Sequence, residues 1–346
     1  MGKIAADLQQ ALAQRALEGS RGGTLSRPLA AGDGWTVADV LCTLGPRDQP
    51  FEEQHGGVCI AMVVAGAFGY RSGSGRALLT PGALLLGNTG ECFECGHRHG
   101  AGDRCLAFHY APDYFERLAA DAGIAGGTLN FRHVRIPPLR SFAPLIARAC
   151  SGATREMREA QVTRGGERDH IGLAARASQV AQAAQTIQVA QTAQTTQAAW
   201  NELAVELAAA ALQAAGTLTR PASDPGAAAW SRVVQTIHLI DATPADPHTL
   251  GSLARAAGLS EFYFLRTFQR VTGVTPHQYL LRARLRSAAL QVAGDTAKII
   301  DIALACGFND LSNFNHAFRQ EFDVSPRAWR ARNGRTLRAR GRARSA

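Results

Sequence analysis

The sequence predicts an α+β chain of several domains: a small β-barrel with flanking helices, a helical linker, and an all-α C-terminal section with two helix-turn-helix units. Three observations predict it. Short apolar runs punctuated by Gly and Pro fill residues 35–110. An Ala/Gln/Thr tract without Gly or Pro occupies 176–199. A helical unit is used twice between residues 249 and 330.

The 346 residues suffice for two domains of ordinary size, each with its own core. The first twenty residues read as a polar helix with Leu8, Leu12 and Leu17 on one side. They contain no continuous apolar stretch of the kind a secretion signal needs, and no apolar run in the chain approaches the ~20 residues that span a bilayer. The seven cysteines are an odd number in a chain too large to need a disulfide framework, so a reducing, cytoplasmic setting is expected.

In the β-rich section the runs Val58–Val64, Ala77–Leu79, Ala83–Leu86 and Cys105–His109 read as strands, with Pro81-Gly82 and Gly87-Asn88 as turns. Many short, closely spaced strands imply a barrel or jelly roll. Residues 112–123 and 141–150 read as helices. The 176–199 tract reads as an extended helix, a disordered repeat being the alternative, and runs on into 200–214, where Leu203, Leu207 and Ala210 form an apolar stripe suited to a dimer contact. Pro221 and Pro225 then break the chain. The expected domains are therefore 1–150, a signal-receiving unit; 151–226, the linker; 227–333, the helical unit; and 334–346, a basic disordered tail.

Charge divides the same way. Residues 1–226 hold 20 Lys and Arg against 20 Asp and Glu, whereas 227–346 hold 17 against 8, so the whole excess of +9 lies at the back. A basic unit on a neutral one is suited to a polyanion, and nucleic acid is the commonest. Arg-rich composition alone would not leave the front balanced.

In the duplicated unit, LARAAGLSEFYFLRTFQRVTGVTPHQYL aligns with IALACGFNDLSNFNHAFRQEFDVSPRAW. Ala254 and Ala303 are small enough for a close helix crossing. Gly258 and Gly307 stand where a left-handed residue ends a helix. Ser260 and Asp310 are placed to cap the next one. Phe264/Phe268 and Phe314/Phe318 are i, i+4 pairs that define buried faces. The other face carries Phe262, Tyr263, Leu265, Arg266 and Gln269 in the first copy, and Ser312, Asn313, Asn315, His316 and Arg319 in the second. Such side chains hydrogen-bond to base edges or touch thymine methyls in a major groove. Double-stranded DNA is therefore the expected partner. Phe262 and Leu265 speak against an architectural protein that binds by charge alone, which needs only cations. Of Arg282, Arg284 and Arg286, on the helix between the copies, some are expected to reach phosphates and others only to be solvated.

These two stretches resemble the DNA-binding domain of the AraC/XylS family over its full length, 249–330. The resemblance implies a transcription regulator, acting as activator or repressor, with a homodimer and RNA polymerase as expected partners. It also implies that Phe262, Leu265 and Arg266 lead the reading. The chain departs from the family pattern at His316, commonly a basic residue, and at Asp323, commonly glycine. The segment from His55 to Leu118 resembles the cupin-like N-terminal domain of one branch of the family, which implies a β-barrel receiving an unnamed small-molecule, metal or redox effector.

Within that segment Cys92, Cys95, His97, His99 and Cys105 crowd together. Alternation along an extended 92–99 puts Cys95, His97 and His99 on one face, a donor set for zinc or another thiophilic metal, with His55, Cys59 or His109 as a fourth ligand. Cys92 and Cys95 form a candidate redox pair. Buried thiols and hydrogen-bonded histidines are the third reading. A metal-dependent cupin enzyme fused to a DNA-binding domain is the alternative function. His97 and His99 come after the Pro81-Gly82 turn rather than in an early His-x-His strand, which speaks against an enzyme.

Overall fold

The structure, a computed structural model, describes residues 2–97, 100–124, 129–166, 178–218, 226–294 and 296–333. The expected linker break at 219–225 and the basic tail lie outside the described residues. In chain order the elements of the front section are α1 (Gly2–Glu18), β1 (Thr24–Gly32), β2 (Trp35–Cys42), β3 (Phe51–Gln54), β4 (Val58–Gly66), β5 (Phe68–Ser72), β6 (Gly75–Leu79), β7 (Leu84–Gly87), β8 (Cys92–Gly96), β9 (Asp103–Tyr110), α2 (Pro112–Asp121), β10 (Arg135–Ile136), a 3-10 turn at Arg140–Phe142, α3 (Ala143–Gly166) and α4 (Ser178–Thr217). The rest is helical: α5 (Ala227–Ala242), α6 (Leu250–Ala256), α7 (Glu261–Thr272), α8 (Pro276–Gly294), α9 (Ile299–Ala305), α10 (Leu311–Phe322) and α11 (Pro326–Asn333).

The strands form two antiparallel sheets, ordered β1-β2-β9-β4-β7-β10 and β3-β8-β5-β6. Strand alternation explains their burial. On β4 and β9, Ile60, Met62, Leu106 and Phe108 face a core shared with α2, α3 and α4, while Cys59, Ala61, Val63, Cys105 and Ala107 face the smaller sheet. With both faces covered, β4 reads as an unbroken apolar run rather than an alternating one.

Two expectations change here. Leu203 and Leu207 are buried in the first of these cores beside Trp200, where Tyr110 Oη donates to the Ala204 carbonyl at 2.8 Å and Trp35 Nε1 to Asn201 Oδ1 at 3.0 Å. The stripe expected as a dimer contact is therefore used within the chain. Leu17 is 89% exposed while Leu8 is buried. At about 100° per residue the two fall on opposite sides of α1. Asp103 and Arg104, neighbours on β9, point to opposite faces. Arg104 makes two bonds to Asp39, at 2.7 and 2.6 Å, and reaches Asp7 of α1 at 3.1 Å.

In the helical section α8 is the shared spine. Its first half packs with α5, α6 and α7, and its second half with α9, α10 and α11. Its three arginines all make contacts inside the fold. Arg282 donates to the Pro138 carbonyl and lies 3.5 Å from Glu321. Arg284 donates to the carbonyls of Pro244 and Asp246, each at 2.8 Å, and Arg286 lies 3.7 Å from Asp241. The sheet-rich section contributes to both helical cores, with Ala67 and Leu78 in one and Ala147 in the other.

Candidate nucleic-acid interface

Each of α7 and α10 is set by the same local chemistry. A short helix, α6 or α9, ends in a left-handed glycine: Gly258 at φ 63° and Gly307 at φ 85°. At Gly307 space adds to the backbone demand, because a Cβ there would lie 2.6 Å from the Ala245 carbonyl oxygen. Ser260 then accepts a hydrogen bond from the Tyr263 amide at 3.4 Å, and Asp310 accepts one from the Asn313 amide at 2.7 Å, starting the second helix of each pair. Both second helices end on a left-handed residue, Gly273 at φ 85° and Asp323 at φ 57°. Asp tolerates this conformation, so the second copy keeps a left-handed ending without glycine.

Packing repeats as faithfully. Phe264, Phe268, Phe314 and Phe318 are fully buried, and Tyr279 and Trp329 close the two cores from equivalent places on α8 and α11. Tyr279 Oη donates to Asp241 at 2.8 Å, and Trp329 Nε1 to the Ala289 carbonyl at 2.9 Å.

The outward face is what remains. Phe262, Tyr263, Arg266 and Gln269 on α7 are exposed, as are Ser312, Asn313, His316 and Arg319 on α10; Leu265 and Asn315 are half-buried at the flank in both copies. Phe262 is 69% exposed and Tyr263 54%, an unusual outlay of aromatic surface on a charged helix. The Arg266 guanidinium lies 5.7 Å from the Phe262 ring centroid, so the aromatic steers the cation along the free face. On α10 the Gln320 amide donates to His316 Nε2 at 2.5 Å, giving that copy a polar face without apolar anchors.

The C-terminal ends of both helices are held from the sheet-rich section. Arg135 of β10 donates to the Val271 carbonyl at 2.6 Å and to the Leu78 carbonyl at 2.8 Å. Arg140, five residues on, donates to the Gln320 carbonyl at 2.6 Å. A cation at a helix C-terminus satisfies free carbonyls and complements the helix dipole. Neither arginine stands out in the sequence, since only the tertiary fold brings 135–140 to both helix ends.

The second candidate cluster is only partly assembled. Cys95 and His97 are buried on one face, as alternation predicts, and Cys105 is buried beside them. Cys92 is exposed on the opposite side of β8, so the Cys92/Cys95 redox pair is not formed. His99 lies outside the described residues. Burial pushes the Cys95 and Cys105 thiols well above their usual range, with the Asp103 charge adding to it, so neither is a ready thiolate. Of the suggested fourth ligands, His55 is bonded to the Tyr70 hydroxyl at 2.8 Å, away from the cluster. Cys42 and Asp103, which sequence reasoning did not single out as ligands, take part instead. A cavity of about 150 Å³ lies nearby, between β5, β6, the end of β8 and α5, lined by Phe68, Tyr70, Arg76, His97, Trp230 and Val234 among others.

Among the described residues no helix is long and apolar enough to cross a membrane. Residues 253–332 match a family model described as a helix-turn-helix domain. The regulatory protein SoxS of Salmonella typhimurium is 33% identical over 102 residues, 29% of this chain and 95% of SoxS. The transcriptional activator RhaS of Escherichia coli is 40% identical over 83 residues, 24% of this chain and 30% of RhaS. LumQ of Photobacterium leiognathi, a probable transcriptional regulator, is 36% identical over 78 residues, 22% of this chain and 32% of LumQ. The chain thus spans about a third of RhaS and LumQ and nearly all of SoxS. With a relative matched over almost its whole length, and the duplicated helix pair in place, the chain belongs to the AraC/XylS family of transcriptional regulators.

Proposed function

We propose that this chain is a sequence-specific DNA-binding regulator of transcription. Each of the pairs α6–α7 and α9–α10 acts as a helix-turn-helix unit, with α7 and α10 entering adjacent major-groove segments. Phe262, Tyr263, Leu265, Arg266 and Gln269 read one segment, and Ser312, Asn313, Asn315, His316 and Arg319 the other. The observation that carries the reading is the free face of α7, where two exposed aromatics and a cation stand on a helix fixed at both ends. A face of that kind gains little in water and much against base edges and thymine methyls.

In this reading residues 1–150 form a cupin-like barrel that receives the signal, 151–226 link it to the DNA-binding unit 227–333, and the protein works in the cytoplasm as a homodimer with RNA polymerase nearby. The relatives are regulators rather than enzymes, and the same is proposed here. Arg135 and Arg140 suit the coupling. Both belong to the short stretch from β10 to α3, and a shift in that stretch would reposition the ends of both reading helices together.

Arg266→Ala tests the reading. It should weaken binding to a specific operator by about 1–3 kcal/mol, roughly 5- to 150-fold, with little change against random duplex. Competition gel shifts with the full chain measure both. An equal loss on specific and random DNA would reduce Arg266 to a phosphate contact and count against base reading by α7.

A further inference from the structure

Three ligand-type side chains, Cys42, His97 and Asp103, converge where three strands meet, with Cys105 against the far oxygen of the carboxylate. Cys42 ends β2 and is the register partner of Asp103, which begins β9. Cys105, two residues on, shares the face of Asp103. His97 follows β8 directly, and its side chain is completely buried. Its Nε2 lies 2.7 Å from Asp103 Oδ1, while Cys105 Sγ donates to the other carboxylate oxygen at 3.3 Å. One donor atom from each of Cys42, His97 and Asp103 lies within 4.8 Å of the others.

A plain ion pair accounts for part of this. Burial disfavours a charged His97, yet its hydrogen bond to Asp103, with the Asp103 charge and the nearby Cys42, raises its pKa to about 9. The pair leaves two features without a reason. Among the described residues His97 Nδ1 is buried with no hydrogen-bond partner, a costly omission for an imidazole. In addition, two thiols are gathered at one buried carboxylate, where apolar side chains would fill the space without a desolvation cost.

We propose that Cys42, His97 and Asp103, with Cys105 as the fourth donor, form a binding site for one thiophilic divalent cation of the zinc class. Sulfur, imidazole nitrogen and carboxylate oxygen are the zinc donor types, and a thiol-bearing set selects against magnesium and calcium. Binding displaces the thiol and imidazolium protons to solvent. His97 also lines the cavity that faces α5, so occupancy is placed directly behind the contact between sheet and DNA-binding unit.

Cobalt(II) serves as the probe, with the full reduced chain. Equilibrium dialysis should find one tightly held Co²⁺ per chain, with thiolate-to-cobalt charge-transfer absorption. Cys42→Ser should abolish much of that absorption. It should also weaken binding by more than the roughly 10- to 100-fold that loss of an outer-shell partner costs. Cys92→Ser, at an exposed position, should change neither. Because Cys42→Ser could disturb folding, the zinc-loaded wild-type chain is also examined by X-ray absorption, which should show mixed sulfur and nitrogen or oxygen donors. Weak binding without charge transfer, a zinc spectrum lacking sulfur, or loss of the signal in Cys92→Ser would each overturn the assignment. None of these outcomes bears on DNA recognition.

Discussion

Phe318→Ala should destabilise the second helix pair by about 3–5 kcal/mol, the range for removing a fully buried phenyl ring. Phe318 is completely buried at the centre of an aromatic cluster, with ring centroids 5.4 Å from Phe314, 4.6 Å from Phe322 and 6.1 Å from Trp329. Those partners come from α10 and α11, and the methyl group that remains cannot draw them together, so a cavity persists. The loss is local in origin, because the core of α9–α11 is distinct from that of α5–α7. Hydrogen exchange on the full chain should therefore show residues 299–333 opening far more readily while 250–275 stay protected. Unchanged protection across 299–333 would mean that the cluster does not hold α10 in place.

Arg104→Met should cost the sheet-rich section about 3–5 kcal/mol, because it leaves a buried charge without its main partner. Asp39 is 4% exposed and accepts both hydrogen bonds of the Arg104 fork; among the described residues Arg27, at 2.7 Å, is its other ion-pair partner and is itself 44% exposed. Arg104 also reaches Asp7, so the substitution loosens α1 from the sheet. Methionine keeps most of the side-chain volume, which isolates the electrostatic part. The double variant Asp39→Leu/Arg104→Met should recover much of the loss, since a buried pair replaced by apolar groups is often neutral. Urea unfolding followed by intrinsic fluorescence compares the three proteins. A single variant as stable as the wild type would show that Asp39 is solvated or protonated rather than paired.

The duplicated helical unit was legible because everything that defines it is local. Capping at Ser260 and Asp310, the glycine turns, and aromatic spacing along α7 and α10 all act within a few residues. Asp323 takes the left-handed backbone that Gly273 takes in the first copy. The sheet was legible only as strands. Its order depends on pairings such as β4 with β9 and β2 with β9, which no short-range pattern encodes. For that reason Cys42 went unnoticed. Only strand register sets it opposite Asp103. On α8 residue type alone did not reveal that Arg282, Arg284 and Arg286 satisfy internal carbonyls and acids. Apolar spacing misled on α4, since periodicity reveals that Leu203 and Leu207 are buried but not by what.

Recognition of base sequence by α7 and α10 is tested most directly by selection. The full chain is offered a pool of random duplexes, and the retained molecules are sequenced over successive rounds. The account predicts convergence on a motif with two blocks about one helical turn apart, the block assigned to α7 being lost in Arg266→Ala. A folded chain that retains all sequences equally would contradict it.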